Sequence, residues 1–121
     1  MIFQVEQLDS VTCIKLIPRR ATAEIAREFK DFLFDLIENR EIPEIVIDVE
    51  KVEFMDSFFL GALVSGLKKS RLTNGDIRLA EIQNSLMPIF KLMHLDEVFQ
   101  IFPSKNDAIN SFTKTDNPKG E

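Results

Sequence analysis

The chain has 121 residues, 15 of them basic and 20 acidic, for a formal net charge of −5, and 45% of it is hydrophobic. That is the size of one compact domain, since domains most often run about 100–150 residues, and the acidic balance excludes a nucleic-acid binder that relies on a broad basic face. No apolar run reaches the roughly 20 residues of a membrane span, and Met1-Ile2-Phe3-Gln4-Val5-Glu6 lacks the basic and apolar regions of a signal peptide, so a cytoplasmic protein without membrane insertion is expected.

In chain order, Ile2 to Leu8 and Val11 to Ile17 read as two strands joined by a two-residue hairpin turn at Asp9-Ser10. The single Cys13 lies in the second of them, where a structural role as a small hydrophobe is expected. Thr22 is placed to cap a helix in which Ile25, Phe29, Phe32, Leu33, Leu36 and Ile37 form one apolar stripe, ending near Asn39. Its other side, with Glu24, Arg27, Glu28, Lys30, Asp31 and Glu38, reads as a solvated face. The β-branched run from Glu44 to Val49 predicts a strand buried on both faces.

The period changes from strand to helix near Asp56-Ser57, after which Phe59, Leu60, Leu63, Val64 and Leu67 follow helical spacing to about Leu72. Asn74-Gly75 marks a turn before a strand over Ile77 to Ile82, and a helix over Ser85 to Met93 has Pro88 near its start, where a missing N–H is tolerated. A short strand over Val98 to Phe102 and a last helix capped by Ser104 complete the pattern. The fold class is α/β: a mixed β-sheet with an N-terminal β-hairpin and about four covering α-helices. One domain over residues 1–112 and a mobile tail over 113–121, which has no apolar anchor, are expected.

Catalytic chemistry is scarce. His94 stands among Leu92, Met93 and Leu95, away from any triad or metal spacing, and the four dispersed glycines build no phosphate loop. No cofactor, no metal site and no enzymatic activity are expected. The Arg19-Arg20 pair and the Lys68-Lys69-Ser70-Arg71 cluster read as solvated ends of a loop and a helix. The chemistry that does stand out is Ser57. Both Asp56 and Ser57 are good N-cap residues, which puts the Ser57 hydroxyl at the surface and at the positive end of a helix. A phosphoryl group there would add about −1.5 to −2 charges, which first-turn N–H groups and the helix dipole favour. Phe58 shares a helix face with Gly61, Ala62, Ser65 and Lys69. It is either an anchor for a partner or an aromatic covered by a neighbouring loop.

The run from Asp48 to Gly61, with Phe54-Met55-Asp56-Ser57-Phe58-Phe59-Leu60-Gly61 at its end, resembles the signature of STAS domains, the family of bacterial anti-sigma factor antagonists and of sulfate-transporter cytoplasmic tails. Asn74 to Ala80, Leu92 to Phe99 and Ser104 to Phe112 resemble the family's later turn, strands and helices in order. In antagonists of this family the serine after the motif Asp is phosphorylated by a serine kinase that is also the anti-sigma factor. The unmodified antagonist captures that kinase, phosphorylation releases it, and a serine phosphatase resets the switch.

The resemblance therefore implies Ser57 as phosphoacceptor, an anti-sigma factor/serine kinase and a serine phosphatase as partners, and no direct nucleic-acid contact. Asp56 and Gly61 match the motif, and the helix face of Phe58, Gly61, Ala62 and Ser65 is the expected partner-binding surface. The chain departs from the family at Phe58-Phe59, where Ser-Gly is common, and at Ile17-Pro18-Arg19-Arg20-Ala21-Thr22, where an acidic residue is usual and the two arginines would suit a differently charged partner. Two alternatives stand beside the switch. One is a non-switching STAS adaptor in a signalling or lipid-transport assembly. The other is a receiver domain phosphorylated at Asp48, against which the first strand lacks the acidic pair that would hold magnesium.

Overall fold

The computed structural model describes residues 2–113; the tail expected at 113–121 lies, from residue 114 on, outside the described residues. Strands β1 (Phe3–Leu8) and β2 (Val11–Leu16) form the hairpin, with Leu8 opposite Val11 and Asp9 in the left-handed region at φ 56°. A short Asx residue tolerates that conformation better than a branched one. After β3 (Arg20–Ala21) comes helix α1 (Ala23–Glu38), then β4 (Glu44–Asp48), β5 (Phe54–Met55), α2 (Ser57–Arg71), β6 (Asp76–Ala80), α3 (Met87–Leu92), α4 (Leu95–Val98), β7 (Ile101–Phe102) and α5 (Lys105–Thr113).

The five-stranded sheet has the order β1-β2-β4-β6-β7, antiparallel only at β1–β2. Each parallel step needs a helical crossover. Alternation along the strands divides the molecule into two layers. Ile14, Leu16, Ile45, Ile47, Ile77 and Leu79 face α1 and α2, where Phe29 and Phe59 stack with ring centroids 4.9 Å apart. Val11, Cys13, Val46 and Ala80 face the other way and are covered by Ala108 and Phe112 of α5. Burial pushes the Cys13 thiol up to about 11, consistent with a structural cysteine. Arg78, on the same face, is satisfied by Asp76 at 3.0 Å and Ser111 at 2.7 Å, with its guanidinium 3.8 Å above the Phe112 ring.

Four sequence expectations need correction. No strand was expected at Arg20-Ala21, and the strand that leads into Asp56 is only Phe54-Met55. Strands β3 and β5 pair with each other in parallel as a separate two-stranded sheet, and two residues apiece are too few to leave a periodic signal. The helix expected over Ser85 to Met93 begins only at Met87, with Pro88 in its first turn. Val98 does not open a strand; it closes the one-turn α4, which follows His94 in the left-handed region at φ 58° and makes a fifth helix. Thr22 occupies the N-cap position of α1, but its side chain makes no capping bond. At Gly75 the close approach is real, since a Cβ there would lie 2.1 Å from the Pro43 carbonyl oxygen.

Candidate functional site

The β3–β5 pair decides where the site lies. Arg19 O accepts from Glu53 N at 2.7 Å and Ala21 O accepts from Asp56 N at 3.1 Å, so the chain segments leading into α1 and α2 run side by side. Both helices therefore begin at one end of the molecule and pack against each other along their length.

Asp56 joins the two starts. It has extended backbone at φ −97° and ψ 175°, the usual N-cap conformation. Its Oδ1 accepts from Phe59 N at 2.9 Å, which caps α2, and its Oδ2 accepts from Ala23 N at 2.8 Å, in the first turn of α1. One carboxylate thus satisfies a first-turn donor of each helix, and it stands where the Thr22 side chain was expected to act. A carboxylate also suits the positive ends of two helix dipoles.

Ser57 is the first residue of α2 and is exposed, as expected. Among the described residues its hydroxyl has no hydrogen-bond partner. Phe58 is 69% exposed while Phe59 is fully buried, so the two adjacent rings have opposite roles. Of the two sequence readings of Phe58, cover by a neighbouring loop is excluded.

Between the helices runs an open groove to which α2 contributes Ser57, Phe58, Gly61, Ala62 and Ser65. These are the sequence-derived site residues apart from Asp56, which anchors the end of the groove from below. The wall from α1 comprises Ala23, Ala26, Arg27, Lys30 and Asp31. The sequence reading put Arg27, Lys30 and Asp31 on a solvated face, and all three are exposed; what it did not show is that this face borders α2. The signal was present in the spacing, since positions 23, 26, 27 and 30 share one helical stripe whose small members are alanines.

Gly61 lies on the groove side with nothing within 4 Å of where a Cβ would stand. The internal packing of the domain does not demand a glycine there. Gly66, by contrast, faces the core against Leu33 and Ile77.

The other residues singled out from the sequence lie elsewhere or act structurally. Arg20 places its guanidinium 4.4 Å from the centre of the half-exposed Phe54 ring, and Arg19 sits 3.8 Å from Glu53, both beside the start of α2. In the basic cluster at the end of α2, Lys69 pairs with Glu38 and Arg71 with Asp76, while Lys68 is exposed. His94 is exposed and 3.3 Å from Glu97. Asp48 is buried and accepts from Glu50 N at 3.0 Å, holding the turn after β4, and the opening hairpin is foreign to the strand-to-helix start a receiver domain requires. Among the described residues no group of three His, Cys, Asp or Glu side chains could hold a metal ion, and no helix is long and apolar enough to cross a membrane.

Comparison with known proteins agrees with this architecture. The STAS domain family matches residues 3–108. A candidate anti-sigma factor antagonist of Thermotoga maritima is 29% identical over 86 residues, which span 71% of this chain and 76% of that protein. The structure of an anti-sigma-factor antagonist (STAS) domain protein from Planctomyces limnophilus superposes with a TM-score of 0.83 at 23% identity, covering 92% of this chain and 97% of the other. The phosphorylated form of the Bacillus cell fate determinant SpoIIAA shares the fold with a TM-score of 0.71 at 17% identity, covering 91% and 98%. With an antiparallel hairpin leading a parallel sheet, an Asp-capped helix opening on an exposed serine, and a family match over nearly its whole described length, the chain belongs to the STAS domain family.

Proposed function

We propose that this protein is an anti-sigma factor antagonist whose binding to an anti-sigma serine kinase is controlled by phosphorylation of Ser57. The observation that carries the reading is the placement of Ser57. Its hydroxyl is exposed and unbonded among the described residues, at the first position of a 15-residue helix, and at the mouth of a groove edged by an exposed Phe58. The Thermotoga relative named for antagonist activity and a fold relative solved in a phosphorylated form support it.

The chemistry of the switch follows from the site. In the unmodified protein the partner covers the groove and desolvates Phe58, which acts as an aromatic anchor. Phosphorylation places a dianion beside the Asp56 carboxylate at the same helix end. The domain tolerates it, because the dipole and first-turn donors of α2 face it and the core lies on the opposite side of the helix. The partner does not, because a dianion is costly to desolvate without a matching cation. Release follows without refolding, and a serine phosphatase restores the binding form. The chain is a regulated binding module and carries no catalytic step of its own.

The reading is tested with Ser57→Ala and Ser57→Asp forms recovered from native cells. The first retains the serine kinase under all growth conditions and the second loses it, with both melting as the parent protein does. Equal retention by the two favours the non-switching adaptor instead.

A further inference from the structure

We infer that the groove between α1 and α2 selects an acidic partner segment, with Arg27 and Lys30 as the residues that recognise its carboxylates. The inference rests on the switch reading and names the partner chemistry it requires. Arg27 and Lys30 project from the α1 wall on the same side as Phe58, and Asp31 is the only acid among the groove-lining residues. The lining thus carries two cations to one acid, beside the Asp56 carboxylate at its end, on a chain whose net charge is −5.

Among the described residues neither Arg27 nor Lys30 makes an ion pair, so neither charge is taken up by an acidic partner within the domain. Lys30 instead lies 5.3 Å from the centre of the Phe34 ring, which Lys69 approaches from the other helix at 5.1 Å. Lys69 is paired with Glu38, so Arg27 and Lys30 are the cations of the groove. Its floor is kept low by Ala26, Ala62 and the Cβ-free Gly61, leaving room for a segment to lie between the helices. Glycine inside a helix is unfavourable relative to alanine, and the open space beside Gly61 gives it a reason that lies outside the domain.

The sign of the switch points the same way. A basic segment in this groove would be attracted by phosphate on Ser57 and bind more tightly. An acidic one is repelled by it. Opposite charges across an interface set partner choice, and like charges reject the wrong one.

The test places photoreactive p-benzoylphenylalanine at position 58 of the full chain in its native cells, and the cross-linked partner peptide is sequenced. The expected peptide carries two or more Asp or Glu residues close to the cross-link. Its yield falls at least about tenfold when Arg27→Glu and Lys30→Glu are combined, and is kept by Arg27→Lys. Both sites are exposed, so unchanged melting of the variants separates lost recognition from lost folding. A basic or uncharged peptide, a yield indifferent to charge reversal, or no cross-link at all overturns the inference. Phosphate on Ser57 is measured in the same samples. Its presence with a non-acidic peptide defeats this inference alone, and its absence with an acidic peptide defeats the switch alone.

Discussion

Replacing Asp56 by alanine removes acceptors from two helices at once, and the loss is divisible by experiment. The Oδ1 bond to Phe59 N is a helix cap, whose loss costs about 1 kcal/mol. The Oδ2 bond to Ala23 N joins the start of α1 and adds about 1 kcal/mol more. Asp56→Ala is therefore expected to destabilise the domain by about 2 kcal/mol, or roughly 8 °C in melting temperature for a chain of this length. Ala23→Pro isolates the second term. It deletes the N–H that Asp56 accepts from, and proline is well tolerated at the first position of a helix. Thr22 already has the extended backbone a following proline requires, at φ −128° and ψ −177°. In the Ala23→Pro background Asp56→Ala should cost only about 1 kcal/mol, so urea denaturation of the four proteins gives a coupling near 1 kcal/mol. A coupling indistinguishable from zero would refute the bridge between the helices and, with it, the account of how Ser57 and the α1 wall are brought together.

Gly61→Ala should stabilise the fold by up to about 1 kcal/mol in urea denaturation while weakening kinase binding, since its methyl group enters only the groove. Destabilisation would place Gly61 against a neighbour. Phe58→Ala should change stability by less than about 0.5 kcal/mol and yet reduce co-purification of the partner, because the ring is mostly in solvent. A large stability loss would return Phe58 to the core. The Cys13 thiol, raised by burial from 9.0 to about 11, keeps its proton in the folded state over a range where the unfolded chain loses it. Stability should therefore fall as pH rises from about 9 to 11, with a shallower fall in Cys13→Ala. Lys105, raised by its hydrogen bond to Glu6, acts in the same direction at the upper end of that range and remains in the variant. An identical slope in both proteins would show that Cys13 does not contribute.

The main frame was legible because its elements are long and periodic. The hairpin at Asp9-Ser10, the buried β4 run and the stripes of α1 and α2 all carry enough residues to express a period of 2 or 3.6. The β3–β5 pair was not legible, since it consists of four residues held by main-chain bonds that any side chains could accompany. That omission mattered most, because this pair brings the two helix starts together and creates the groove. Asp56 could be read as a cap from its place before an apolar helix, but its second bond depends on a residue 33 positions away. Arg27 and Lys30 were read as solvated because a helix pattern distinguishes buried from exposed and is silent about which exposed side faces a neighbouring helix. Phe58 was placed on its face correctly, and only the packing could decide that nothing covers it.

The most direct measurement of the central claim is phosphosite mass spectrometry of the protein from its native cells in growth and stress, with co-purifying proteins quantified in the same samples. The account predicts phosphate on Ser57 whose occupancy varies inversely with a bound serine kinase. An unmodified Ser57 in every condition, with a partner bound at constant level, would contradict it.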